Sequence, residues 1–66
     1  MLVSKIGNIR RSKGLQQNYV AKQIKVSKQS LSDWERGEVY PKANHLFDLA
    51  DFFEVKVDDL YERIKE

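Results

Sequence analysis

The sequence predicts an all-α domain of five short helices, with the second and third joined as a helix-turn-helix. Three observations lead there. Apolar residues recur at helical spacing: Val20, Ala21 and Ile24, then Leu31 and Trp34, then Leu46, Leu49, Ala50 and Phe53. Ser27 stands where a helix needs a cap, offering its side-chain oxygen to a first-turn amide. Gly37 follows as a stop, because glycine enters the left-handed region without steric cost. Small Ala21 permits close approach of the two helices, and Val26 fills the turn between them.

The first helix is expected from about Leu2 to Lys13, with Leu2, Ile6 and Ile9 on one face and Lys5, Asn8, Arg11 and Ser12 off it. Gly14 ends it, and Leu15 becomes a buried link. The second helix is expected over Gln17 to Ile24, behind Gln16, a weak cap. The third runs from Lys28 to Glu35. Residues 37–42 form a loop in which Pro41 holds Tyr40 extended. The fourth helix spans Ala43 to Phe53. A fifth is expected over Val57 to Ile64, with Leu60 inward and Asp58 and Asp59 at its positive end.

The 66 residues are expected to form one domain, 1–66, without repeat or linker. A core this small rarely yields more than roughly 3–5 kcal/mol, so a partner subunit or ligand is expected. The chain has no cysteine, which excludes disulfides and thiolate metal sites, and no metal or cofactor is expected. One histidine and no Gly-rich phosphate loop argue against an enzyme, since no nucleophile, base and orienting group can be assembled. There is no apolar run near the roughly 18 residues of a membrane span, and a cytoplasmic setting is expected.

Charge is unevenly spread. Residues 1–32 carry seven basic side chains (Lys5, Arg10, Arg11, Lys13, Lys22, Lys25, Lys28) and no acid, whereas residues 33–66 carry five basic and ten acidic ones. The halves therefore stand at +7 and −5. An acid-free stretch of this length favours a polyanionic partner, although basic residues can also simply solvate helix faces.

From Ile6 to Tyr61 the chain resembles the lambda-repressor-like (XRE-type) helix-turn-helix family of transcriptional regulators. The resemblance rests on Ile6-x-x-Ile9-Arg10, Gly14-Leu15-x-Gln17, Val20-Ala21, Val26-Ser27, Leu31-x-x-Trp34-Glu35-Arg36-Gly37, Pro41, Leu46-x-x-Leu49-Ala50 and Val55-x-x-Asp58-x-Leu60. It implies sequence-specific binding of double-stranded DNA, as a homodimer on a palindromic operator, with the third helix in the major groove.

On that alignment Lys28, Gln29, Ser32 and Asp33 face the bases. Gln29 can pair with adenine N6 and N7, and Lys28 can donate to guanine O6 or N7, or to a phosphate. Ser32 suits either a base or a phosphate. Asp33 has three open readings: acceptance from cytosine N4, exclusion of wrong sequences, or pairing with Arg36 or a lysine without contact to DNA. Gln17, Ser27, Lys42 and Asn44 are the implied phosphate contacts, with Lys13 and Arg11 weaker candidates. Arg10 and Glu35 resemble the family's internal ion pair. Trp34 reads first as core and His45 as a surface residue.

Three positions depart from the family pattern. Lys25 and Glu54 stand where glycine is frequent, and Lys56 replaces a serine-type cap. Phe47, Phe52, Tyr61 and Ile64 exceed what a small core needs and suit a two-fold interface on the last two helices, although single exposed apolar residues are ordinary. The expected function is a DNA-binding transcriptional regulator, repressor or controller protein, with no small-molecule ligand evident. The alternative is a protein-interaction module, such as an antitoxin or regulatory adaptor, with secondary DNA binding.

Overall fold

Leu2-Val3-Ser4 is a strand rather than the first turn of a helix. In the computed structural model, which describes residues 1–65, strand β1 (Leu2–Ser4) pairs antiparallel with β2 (Tyr61–Arg63). Leu2 lies opposite Arg63, Val3 opposite Glu62 and Ser4 opposite Tyr61. The ladder extends beyond both strands: Lys5 N–H donates to Leu60 O and Ile64 N–H to Met1 O, each at 2.8 Å. Between the strands come α1 (Ile6–Ser12), α2 (Gln17–Gln23), α3 (Lys28–Arg36), α4 (Ala43–Phe53) and a 3-10 turn at Val57–Leu60.

The domain is thus an all-α helix-turn-helix fold with, among the described residues, four α-helices, not five, and a short ribbon. Two expected boundaries are corrected. The first helix starts at Ile6, and Leu2, expected on its inner face, is 39% exposed. The fifth helix over 57–64 is one 3-10 turn that runs into β2. Short helices are marginal because the first turn fixes several residues for one hydrogen bond. Val3 and Tyr61 fit a pleated surface better, and mutual pairing satisfies the backbone of both segments.

All four helices end alike. Gly14, Lys25, Gly37 and Glu54 have φ of 70°, 61°, 78° and 59°, and the residue after each donates its amide five positions back. The bonds are Leu15 N–H to Arg10 O, Val26 N–H to Ala21 O, Glu38 N–H to Asp33 O and Val55 N–H to Ala50 O, at 3.0–3.2 Å or, for Val26, 2.9 Å. Lys25 and Glu54 therefore adopt the glycine conformation despite their side chains, so the turn of the helix-turn-helix keeps its usual path. Before the 3-10 turn, Asp59 reaches back to accept from Lys56 N–H at 3.1 Å, and Asp59 N–H donates to Lys56 O at 2.9 Å, so the turn closes without a serine-type cap.

The core gathers Ile6, Val20, Ala21, Ile24, Leu31, Trp34, Leu49, Ala50, Phe53 and Leu60. Ile9, Leu15, Val26 and Leu46 close its rim half-buried. Each helix gives one stripe to this core, which fixes which way its other face points.

Candidate nucleic-acid interface

Ser27 begins α3 in extended conformation, and its Oγ accepts from Ser30 N–H at 3.0 Å while donating to Ser30 Oγ at 3.0 Å. Its hydroxyl is thus committed to the cap, and a phosphate contact requires the proton to turn away from Ser30. Leu31 and Trp34 are buried and set the helix rotation. At about 100° per residue, Gln29, Ser32, Asp33 and Arg36 then share the side facing away from the core.

These four side chains form one hydrogen-bonded array. Gln29 Nε2 donates to Asp33 Oδ1 at 2.9 Å. Arg36 Nη2 donates to the same Oδ1 at 2.5 Å, and its Nη1 donates to Ser32 Oγ. Glu38 lies 3.7 Å from Arg36 Nε. Of the open readings for Asp33, pairing with Arg36 is present. Lys28 stands apart from the array, exposed at the amino end of α3.

The amino end of α2 meets α3 from behind. Arg10 donates from Nε to Glu35 Oε2 at 2.7 Å, from Nη2 to Glu35 Oε1 at 3.1 Å and from Nη1 to Leu15 O at 2.8 Å. The Arg10 and Glu35 side chains are 12% and 6% exposed. Gln17 Nε2 also donates to Glu35 Oε1, at 2.9 Å, so one of its two amide protons is engaged and the other is left for an incoming acceptor. Arg10, Gln16, Gln17, Asn18 and Lys28 line a shallow cleft here. The structure thereby brings together Gln17 and Lys28, two of the predicted DNA contacts, on a cationic rim.

Lys42 and Asn44 are exposed at the start of α4. The His45 ring lies 5.2 Å from that of Trp34, which holds this first turn against the inner side of α3. His45 is half-buried rather than a surface residue; its Nδ1 lies 3.9 Å from Asp48 Oδ2 and has no hydrogen-bond partner among the described residues.

The four aromatic and apolar residues expected to form one interface do not meet. Phe47 and Phe52 are five residues apart, about 140° around α4. Phe52 packs 6.2 Å from Tyr19 of α2, whereas Phe47 is 60% exposed on the other flank. Alternation along β2, carried one residue further by the Ile64 N–H bond to Met1 O, sends Tyr61 and Ile64 to opposite faces of the ribbon. Tyr61 lies 5.5 Å from Tyr40, and with Leu2, Leu46 and Val57 it lines a shallow apolar groove.

Three contributors escaped sequence reasoning. Asn18 lines the cleft but carries no distinctive local signal. Arg36 was legible only as a partner of Asp33, though its i,i+3 and i,i+4 spacing to Asp33 and Ser32 allows the fork. Gly7 is buried in α1, and a Cβ there would lie 3.0 Å from Glu35 Oε1, so its missing side chain makes room for the ion pair. Among the described residues no helix is long and apolar enough to cross a membrane, and no His, Cys, Asp and Glu cluster could hold a metal ion.

The sequence profile of the helix-turn-helix family matches residues 6–60. Over 56 residues the chain is 38% identical to the HTH-type transcriptional activator BcrR of Enterococcus faecalis, a match covering 85% of this chain and 28% of that protein. The chain thus spans little more than a quarter of that relative's length. Its fold is similar to that of a candidate DNA-binding protein from Bacteroides fragilis, with a TM-score of 0.86 and 21% identity over 94% of this chain and all of the other. A transcriptional regulator from Listeria innocua gives 0.80 and 22% over 94% of this chain and 58% of its own. At such identities these two structures show a shared fold alone. The profile match over residues 6–60 shows more: the chain belongs to the lambda-repressor-like (XRE-type) helix-turn-helix family of DNA-binding transcriptional regulators.

Proposed function

We propose that this chain is a sequence-specific regulator that binds double-stranded DNA by laying α3 in the major groove. The carrying observation is the outward stripe of Gln29, Ser32, Asp33 and Arg36, all polar, bordered by the cleft that joins Lys28 to Gln17. Lys28 and Gln29 meet base edges, with Ser32 beside them. Gln17, Ser27, Lys42 and Asn44 hold the sugar-phosphate backbone. The basic first half of the chain supplies the sequence-independent attraction.

The proposed unit is a homodimer on a palindromic operator, with two copies of α3 about 34–36 Å apart. Phe47, 60% exposed, and the Leu2–Tyr61 groove of the ribbon are the proposed contact, as apolar surface that the domain leaves uncovered. Repression by occluding a promoter is the proposed action. The Enterococcus relative is described as an activator, and in vitro transcription from a bound promoter decides the sign for this chain.

The test is salt-dependent retardation of random and selected duplexes. Affinity is expected to fall steeply with salt, and Lys28→Ala with Gln29→Ala is expected to erase site preference while the fold persists. Binding unchanged by that pair of substitutions refutes the reading. Salt-insensitive, negligible DNA binding favours the adaptor alternative. Sedimentation showing only monomer, with and without selected DNA, removes the dimer.

A further inference from the structure

We infer that Asp33 is a positioning residue: it fixes the Gln29 carboxamide for adenine, and Arg36 holds Asp33 in that role. The inference rests on the reading of α3 as the base-contacting helix. A carboxylate can only accept, so the nitrogen of the Gln29 amide, not its oxygen, faces Asp33 at 2.9 Å. The amide is planar. When Asp33 holds the N–H anti to Oε1, rotation about the last torsion is restricted, and the syn N–H and Oε1 project together as a donor beside an acceptor. That pair matches adenine, which presents an acceptor at N7 and a donor at N6.

The same geometry gives Asp33 a task within the protein and leaves only Oδ2 for any contact of its own with DNA. Its Oδ1 already accepts from both Gln29 and Arg36, at 2.9 and 2.5 Å. Arg36 also offsets a negative charge that nearby phosphates would repel. Because Arg36 Nη1 occupies the Ser32 oxygen, the Ser32 hydroxyl is left to donate. Four side chains therefore arrive at DNA with their donors and acceptors already assigned, which lowers the ordering cost of binding.

The test is selection of bound sites from a random duplex pool, followed by affinity measurements on the selected site, for wild type, Asp33→Ala, Gln29→Ala, Asp33→Asn and the Asp33→Ala/Gln29→Ala double variant. Circular dichroism confirms folding for each. Asp33→Ala is expected to relax preference at the same base pair as Gln29→Ala and to weaken binding roughly two- to tenfold, the range set by freeing one side chain. The double variant is expected to be no weaker than Gln29→Ala alone. Asp33→Asn keeps an acceptor for Gln29 and is expected to recover much of the preference. Relaxation at a different base pair, additive with Gln29→Ala, overturns the inference while leaving the DNA-binding reading intact. Tighter binding with unchanged preference also overturns it, making Asp33 merely repulsive. Wild type that selects no site at all overturns both.

Discussion

Arg10 grips both carboxylate oxygens of Glu35 across 25 positions of chain, at 2.7 and 3.1 Å, and so ties α1 to the end of α3. Breaking one side of a buried pair strands the other charge, which costs about 3–5 kcal/mol. That is comparable to the whole stability expected of so small a core. Glu35→Ala is therefore expected to leave the domain largely unfolded in urea titrations at room temperature. Replacing both residues with apolar ones of similar volume is expected to cost far less. A Glu35→Ala variant within about 1 kcal/mol of wild type refutes the assignment.

Gly7 lies against this pair. A methyl group there would stand 2.9 Å from Arg11 Nη1 and 3.0 Å from Glu35 Oε1. The Arg11 end is exposed and can swing aside, but the Glu35 carboxylate is held by Arg10 and Gln17. Overpacking costs about 1–3 kcal/mol, against a gain of up to about 1 kcal/mol in helix propensity. Gly7→Ala is expected to destabilise by roughly 1 kcal/mol in denaturant titration. A more stable Gly7→Ala protein would mean that the pair has slack.

Lys25 and Glu54 hold left-handed backbone conformations that cost an L-residue about 1–2 kcal/mol, partly offset by the greater unfolded-state freedom of glycine. Lys25→Gly and Glu54→Gly are each expected to raise stability by about 0.5–1 kcal/mol, additively, in thermal or urea unfolding. Conversely, Lys25→Val is expected to be strongly unfavourable, because a branched side chain tolerates positive φ poorly.

Burial, aided by the neighbouring Tyr40 phenol, raises the Tyr61 pKa above its ordinary value near 10. Ser4, its partner across the ribbon, would favour the anion, but Tyr61 Oη makes no hydrogen bond of normal geometry among the described residues. Above pH 10 the unfolded chain loses this proton while the folded one retains it, so stability falls as pH rises. The contribution is fully present below pH 10. Tyr61→Phe is expected to flatten the alkaline limb of a stability–pH curve and to leave neutral stability nearly unchanged or slightly raised. An unaltered alkaline limb counts against the assignment.

The helix-turn-helix was readable because its cues are local. Leu31 and Trp34 set a helical period, Ser27 caps, and Gly37 stops. Lys25 departed from the usual glycine, yet the Val26 amide still closes the turn on Ala21 O. The ribbon was not readable: each strand has three residues, and their pairing joins positions 61 apart at Leu2 and Arg63. No local window contains such a partner, and Leu2 at helical spacing from Ile6 imitates a longer helix. On the outward face of α3, spacing allowed Asp33 to meet either Arg36 or a base, and only side-chain geometry revealed that one oxygen serves both Arg36 and Gln29. The aromatic residues were grouped by sequence proximity, whereas helix rotation separates Phe47 from Phe52 and strand alternation separates Tyr61 from Ile64.

The bond from Ile64 N–H to Met1 O, at 2.8 Å, makes the backbone nearly an unbroken loop. Segments this close can be joined by a linker, and the domain reopened in an exposed connection, with the packing kept. A short linker across the ribbon, with the chain reopened between exposed Glu38 and Val39, should therefore give a protein of the same architecture in which α3 and α4 are no longer consecutive. The order of the helices along the polypeptide would then be secondary to their mutual packing.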